Sequence, residues 1–377
     1  MLLFLLTSCS PASLAIATQT ASNTPTTAVP TVTYTPILTQ TPEPTATSTP
    51  TITASPAPPT ATPAPLAVFS PRMITGITPT AYIQDTCTYI SQRWTAGNAA
   101  PGTVVVPIMY HGVRNEGGTV TDNVTVTEDY FKETMAHAKE LGFDTITIDQ
   151  LVDFLQHNTY IPPRSILLII DDRRLGTVQN HFLPVLEANN WHLVMAYITG
   201  VINDKEWQQV KDVLATGYVE IQAHGFMHNG QTYFTQYTPD DIIHNEIYGP
   251  IQAFMDHLGY RPTAFIWPGG DFTLKTVKEV RKAGYEVGFT AYSRGPLMFN
   301  WIPLGNEERE MNDPLMVLPR YWSTAAYVNL DEAVKYADQA IAFAQQNRQA
   351  ELDYYNTYCS NDPAIVLANA DTEVSPK

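Results

Sequence analysis

From residue 104 onward, short apolar runs rich in β-branched residues alternate with amphipathic segments, and that alternation constrains the fold more than any other feature of the chain. The runs at 104–109, 144–148, 166–170, 193–198, 219–223, 264–267 and 286–290 have the length and composition of buried strands, with a later one near 316–318. Between them Phe131, Met135, Ala138 and Leu141 keep helical spacing behind Thr127 as an N-cap, and 242–258 and 273–283 follow the same pattern. Strands separated by helices pair in parallel, because each crossover helix returns the chain to the same end of the sheet. The expected fold class is therefore α/β, a (β/α) barrel, incomplete or distorted, with seven to eight strands. No internal repeat is visible, and after Leu330 an Ala-rich amphipathic helix to about residue 347 is expected to pack on the barrel.

Parallel strands deliver their C-terminal ends to one rim, even when a hundred residues separate them in sequence. Four polar stretches lie directly behind expected strands: Met109-Tyr110-His111, Ile170-Asp171-Asp172, His224 to His228, and Trp267-Pro268-Gly269. His224 and His228 are four apart, so on one helical turn both imidazoles would face the same way. Two neutral imidazoles and a carboxylate make a three-ligand metal set with open positions. Alone, such a His pair can be a chance feature of a surface helix, and Asp-Asp a cap or turn. Together they meet the needs of a hydrolytic centre, which uses one carboxylate as ligand and a second, unligated one to take a proton from water. Consecutive strand residues point to opposite faces, so Asp171 and Asp172 would divide these roles where the strand ends.

The N-terminal part of the 377-residue chain is different in kind. Between residues 24 and 65, Thr or Pro occupies 26 of 42 positions and Glu43 is the one charged residue, a composition that cannot bury a core. Leu6-Thr7-Ser8-Cys9 has the form of a bacterial lipoprotein signal, although no Lys or Arg precedes Arg72. We therefore expect a lipoprotein-type signal segment at 1–9 with lipidation at Cys9, a disordered Thr/Pro-rich linker at 10–71, a barrel domain at 72–358 and a tail at 359–377. A semi-extended stalk of about fifty residues would reach on the order of 150 Å from a membrane. Of the three cysteines, Cys87 and Cys359 flank the domain and are expected to form a disulfide; the competing reading is that both are reduced and buried. The formal net charge of −16, with no basic patch longer than Arg173-Arg174, argues against a nucleic-acid partner. No run is long and apolar enough to span a bilayer, so the expected membrane contact is through the lipid anchor alone, on a monomer at the extracytoplasmic bacterial surface.

The four stretches also carry a resemblance. The chain is similar to the polysaccharide deacetylases, the NodB-like domain of carbohydrate esterase family 4, and most to the branch that deacetylates poly-N-acetylglucosamine, in which a Tyr-His motif comes first. The similarity runs from about Val104 to Arg320 in the family's order. The segment 106–113 resembles the opening motif, 162–172 the strand into Asp-Asp, 224–228 the His-x-x-x-His and 265–270 the Pro motif. Ala283-Gly284-Tyr285 and Leu318-Pro319-Arg320 follow, as in the family. The resemblance implies a divalent metal, zinc above others, held by Asp172, His224 and His228. It implies Asp171 as the general base, His111 as the general acid and the backbone N–H of Gly269 as an oxyanion donor. The implied reaction is hydrolysis of N-acetyl groups on an N-acetylated polysaccharide or oligosaccharide.

Departures from the family pattern are concentrated beside the proposed base. Arg173-Arg174 stand where the family has Gly after Asp-Asp, and Ile266 and Gly269 replace the Arg and the aromatic residue near Pro268. A guanidinium at 173 would lower the pKa of Asp171, bind an acidic substrate group or orient the carboxylate. Arg320 could replace the missing Arg as the partner that fixes the base. Trp267, Arg320 and Arg173 are expected at the substrate, with Trp301, Trp322, Tyr292 and Tyr321 as further aromatic candidates for sugar stacking; for each aromatic the competing role is core packing. The 293–314 insertion would shape a substrate groove or be a surface loop. The alternative function is a non-catalytic glycan-binding or envelope protein on the same scaffold, motivated chiefly by Arg173.

Overall fold

The structure, a computed structural model, describes residues 63–229 and 232–359. The expected signal segment, Cys9, the linker up to residue 62 and the tail beyond 359 lie outside the described residues. The sheet is built from β1 (Val104–Tyr110), β2 (Asp144–Thr145), β3 (Arg164–Asp171), β4 (Leu193–Tyr197), β5 (Val219–Ala223), β6 (Ala264–Ile266), β7 (Val287–Phe289) and β8 (Tyr321–Trp322). Its order is β7-β6-β5-β4-β3-β1-β8, with β2 also paired to β3, and every pair is parallel. Central strands in such a sheet are covered on both faces, which is why β1 is apolar and buried from end to end.

Period-two alternation divides the core. Val104, Val106, Ile108 and Tyr110 of β1, with Ile166, Leu168 and Ile170 of β3 and Met195 of β4, pack against α2 (Glu128–Glu140), α5 (Asp204–Leu214) and α8 (Ala326–Tyr358). Val105, Leu167, Ile169, Val194 and Ala196 point the other way, into a cluster with α3 (Ile148–His157), α6 (Asp240–His257) and α7 (Leu274–Lys282). The two edges of the sheet are joined by one short segment. Leu318 bridges Phe289 of β7, and Tyr321–Trp322, three residues on, pair with Ile108 and Met109 of β1. The result is an incomplete (β/α) barrel of eight strands.

Several expected elements shift for identifiable reasons. The strand expected at 144–148 shortens to two residues because Thr147 caps α3 instead, in a capping box with Gln150. The strand expected near 316–318 is a 3₁₀ turn, Pro314–Met316, followed by the bridge at Leu318, and the ladder begins only at Tyr321. The middle of the 293–314 insertion packs away from the rim that carries the polar stretches. Leu297 pairs with Val105 near the opposite end of β1, and Leu297, Met298, Phe299, Trp301 and Ile302 are buried there.

Helix α8 starts four residues before Leu330 and runs well past 347, because its last turns have partners. Glu351 accepts a hydrogen bond from Trp94 Nε1 at 2.7 Å and pairs with Arg93 at 3.1 Å. Both donors lie at the end of α1 (Thr86–Trp94), whose Cys87 is joined to Cys359 by a disulfide. Residues 63–71, counted with the linker in the sequence reading, run beside these elements, where Phe69 meets the rings of Trp301 and Phe343, each at 5.6 Å. The disulfide closes 272 residues, so its reduction is expected to cost about 5–6 kcal/mol of stability through the unfolded chain's entropy. Urea unfolding with and without reductant, against Cys87→Ser with Cys359→Ser, measures it. An unchanged midpoint would mean that packing of α8 holds the domain ends without the bond.

Candidate metal centre

Asp171 is the last residue of β3, on the face that carries Leu167 and Ile169. Asp172 leaves the strand in the left-handed region, at φ 71, and this turns its carboxylate to the same rim rather than the opposite face. As a result Asp171 Oδ2 and Asp172 Oδ1 each lie 3.9 Å from His224 Nε2. His224 follows β5 and is buried; its Nδ1 lies 2.9 Å from the carbonyl oxygen of Ile266. A carbonyl only accepts, so Nδ1 carries the proton and the bare Nε2 faces the two carboxylates. Burial pushes the His224 pKa well down, against the pull of Asp171 and with some help from His228, so the ring is neutral at ordinary pH.

The expected helical turn at 224–228 is not formed. Gly225 has φ 73 and His228 φ 45, so the segment is a loop, and the two imidazoles meet by backbone reversal, with ring centroids 4.3 Å apart. The loop is held from behind by Glu246, a fully buried carboxylate on α6. It accepts the backbone N–H groups of Phe226 and Met227 at 2.8 Å each and of His228 at 3.4 Å. A Cβ at position 225 would lie 2.6 Å from Glu246 Oε2 and 2.9 Å from Pro268, so glycine is needed there for space as well as for its positive φ.

Asp172, His224 and His228 each place one donor atom within 4.8 Å of the others. Two of these three residues hold a left-handed backbone that costs on the order of 1 kcal/mol or more, and such strain persists where a site over-determines it. One carboxylate oxygen, two imidazole nitrogens and a fixed tautomer at His224 form a donor set that fits a divalent ion of the zinc kind.

Asp171 stands apart from that set. Both its oxygens are taken by Arg320, Nη1 to Oδ1 at 2.7 Å and Nη2 to Oδ2 at 3.0 Å, while Arg320 Nε donates to Thr290 O at 2.8 Å. Burial alone would raise the Asp171 pKa, but Arg320, His224 and His111 outweigh it and hold the group at about 2. His111, just past β1, has Nε2 3.8 Å from Asp171 Oδ2 and its ring stacked on Trp322 at 5.8 Å. The left-handed Gly269 is exposed on the same rim under the ring of Tyr233, which a Cβ there would meet at 2.8 Å.

Of the three residues expected at the substrate, Arg320 and Trp267 are buried and engaged within the fold, whereas Arg173 lines an open cavity beside Asp172. Arg320 is 1% exposed and fully engaged with Asp171 and Thr290, so it has no free edge for a sugar. Trp267 is completely buried among Phe234 and Phe265, and its indole donates to Met316 O at 2.8 Å. Arg173 turns away from Asp171 and donates Nε to Ile198 O at 2.8 Å and Nη2 to Gly200 O. Of the other aromatic candidates, Tyr321 and Trp301 are core residues, whereas Trp322 flanks His111.

Sequence reasoning missed Glu246, Tyr233 and the separate position of Arg174. Glu246 did carry a signal, since Ile243, Glu246, Ile247, Pro250 and Ile251 form one buried stripe of α6 with a charge in its middle. Tyr233 carried none, because its place over Gly269 depends on a loop with no periodicity.

With this geometry in view, comparison with known proteins defines the class. Residues 159–288, about a third of the chain, match the family described as polysaccharide deacetylase. The poly-beta-1,6-N-acetyl-D-glucosamine N-deacetylases of Escherichia coli O157:H7 and of strain K12 are 23% and 22% identical to it over 234 residues, covering 51% of this chain and 34% of theirs. The chain thus spans about a third of the length of these curated relatives. Among solved structures, the Streptococcus pyogenes deacetylase PplD in complex with acetate superposes with a TM-score of 0.50 at 17% identity, over 62% of this chain and 99% of that one. A de-N-acetylase from Aggregatibacter actinomycetemcomitans does so with a TM-score of 0.50 at 15% identity, over 61% and 99%. At these identities the two structures establish a shared fold.

Proposed function

We propose that the domain hydrolyses N-acetyl groups on an extracytoplasmic amino-sugar glycan and releases acetate. The observation that carries this reading is the donor cluster of Asp172, His224 and His228, set beside an unligated, ionised carboxylate at Asp171. The three cluster residues would hold a divalent ion, zinc by their donor chemistry. When bound, it would supply Lewis acidity toward water and the acetyl carbonyl.

The chain's own groups divide the remaining work. Asp171 takes a proton from the attacking water, and Arg320 keeps that carboxylate ionised and fixes the direction of its lone pairs. His111 lies on the other flank of Asp171 and donates a proton to the departing amine nitrogen; its Nδ1 is buried with no hydrogen-bond partner among the described residues. The Gly269 N–H serves the oxyanion, and Trp322 offers a ring face next to His111 for the sugar. The Cys87–Cys359 disulfide supports an oxidising location, consistent with display outside the cytoplasm by an N-terminal lipid anchor. Arg173, which motivated a non-catalytic alternative, does not touch the base, so no observation favours that alternative.

Metal content and acetate release from N-acetylglucosamine oligomers test the proposal together. Wild type is expected to hold about one zinc per chain and release acetate, and His224→Ala to lose both. A wild type that binds no metal after zinc addition would overturn the reading.

A further inference from the structure

Arg173 and Arg174 occupy the place where the family resemblance leads one to expect glycine, and the structure gives them opposite tasks. Arg173 anchors the loop after β4 through two carbonyls. Arg174 is about half exposed and donates Nη2 to Asp172 Oδ2 at 3.1 Å; its Nε and Nη1 make no hydrogen bond to any described residue. Arg174 lines a cavity of about 420 Å³, whose other walls include Ile198, Gly200, Val201 and Met227. That size lies within the range of small-ligand pockets.

Charge in this cavity is unbalanced. Two guanidinium groups line it against one carboxylate, in a chain whose net charge is −16. Asp172 is itself shared, since its Oδ1 faces His224 and only Oδ2 meets Arg174. Arg173 has no carboxylate partner at all among the described residues. The opposite wall is apolar and strained: Val201 is 80% exposed at φ 52, a left-handed conformation that β-branched residues rarely hold, and Met227 beside it is 41% exposed. Gly200 donates to Phe226 O, which ties this wall to the loop carrying His228. An exposed apolar ledge in the same cavity as a guanidinium with N–H groups left unbonded among the described residues suits a sugar substituent with a short carbon chain ending in a carboxylate.

We propose that this cavity is a subsite for an anionic substituent, so that the glycan deacetylated carries carboxylates close to the N-acetyl group. The inference rests on the deacetylase reading above and narrows its substrate class. Arg174 acts in it as a specificity-determining residue. A role confined to orienting Asp172 would lower turnover of all substrates equally.

Three oligosaccharides of equal length separate these roles: an N-acetylglucosamine oligomer, one in which alternate sugars carry a lactyl carboxylate, and the same oligomer with that carboxylate converted to an amide. The kcat/KM for acetate release is measured with zinc-loaded wild type and Arg174→Gln. Wild type is expected to favour the carboxylate over its amide by about tenfold at low salt, with the preference shrinking at about 0.5 M salt. In Arg174→Gln the preference should fall to about twofold or less, whatever happens to absolute turnover. Equal kcat/KM for carboxylate and amide in wild type, or an undiminished preference in Arg174→Gln, would overturn the proposal while leaving deacetylation intact. If none of the three releases acetate, the deacetylase reading fails, and the ratio of calorimetric Kd values for carboxylate and amide then decides the subsite by the same criterion.

Discussion

Asp171→Asn is expected to lower acetate release by about three orders of magnitude while leaving zinc content near one per chain. The substitution keeps the shape of the side chain and one acceptor for Arg320, but removes the group that can take a proton. Its second effect is on stability. Asp171 and Arg320 are 2% and 1% exposed, so the variant leaves a buried guanidinium facing a neutral amide, a loss of about 3 kcal/mol. The two effects can be separated. Asp171→Asn combined with Arg320→Met removes both charges and should recover much of the stability with none of the activity. Arg320→Met alone leaves the carboxylate in place without its clamp, and burial then pushes its pKa up, which lowers both turnover and stability. Acetate release, zinc content and urea midpoints of the three variants give the result. Wild-type turnover in Asp171→Asn would remove Asp171 from the base role.

Arg320 sits in the segment that links Leu318 at one sheet edge to Tyr321 at the other, so the residue that clamps Asp171 lies where the two edges meet. Clamping the carboxylate makes it a weaker proton acceptor, with a pKa of about 2, but guarantees its charge in a site where burial would otherwise neutralise it.

Most of the strand–helix order was legible because buried parallel strands give continuous apolar runs, and Thr127 and Thr273 announce their helices by local capping that needs no tertiary information. The rim residues were legible for a related reason: polar groups directly after an apolar strand have few other places to be. What stayed hidden depends on backbone reversals and long-range packing. Spacing of four suggested a helix for His224 and His228, whereas the loop reaches the same convergence through Gly225 and a left-handed His228. Trp267 has the composition of a sugar platform and the position of a core residue, and only the packing of Phe234 and Phe265 around it distinguishes the two. Arg173 and Arg174 are adjacent in sequence, and no local rule says which turns inward.

Glu246→Ala is expected to weaken zinc binding by about 10- to 100-fold, although Glu246 is no candidate ligand and lies on another element. The carboxylate collects three successive N–H groups of the loop that carries His228, and it does so from a fully buried position. Removing it leaves those donors unpaired, at about 1–3 kcal/mol for each one that water cannot reach. The loop relieves that cost by moving, and His228, already held at φ 45, is the residue most able to relax away from His224. Glu246→Gln is the informative companion. Its amide oxygen can accept from one or two of the N–H groups, but its NH₂ faces the remainder, so affinity should fall between wild type and alanine. Competition with a chromophoric chelator gives the zinc Kd for each variant, independent of turnover. Unfolding midpoints of the metal-free proteins show how much of the change is general destabilisation. If Glu246→Ala binds zinc as tightly as wild type, the loop is held by Gly225 and Pro268 packing alone, and the buried carboxylate has no part in placing His228.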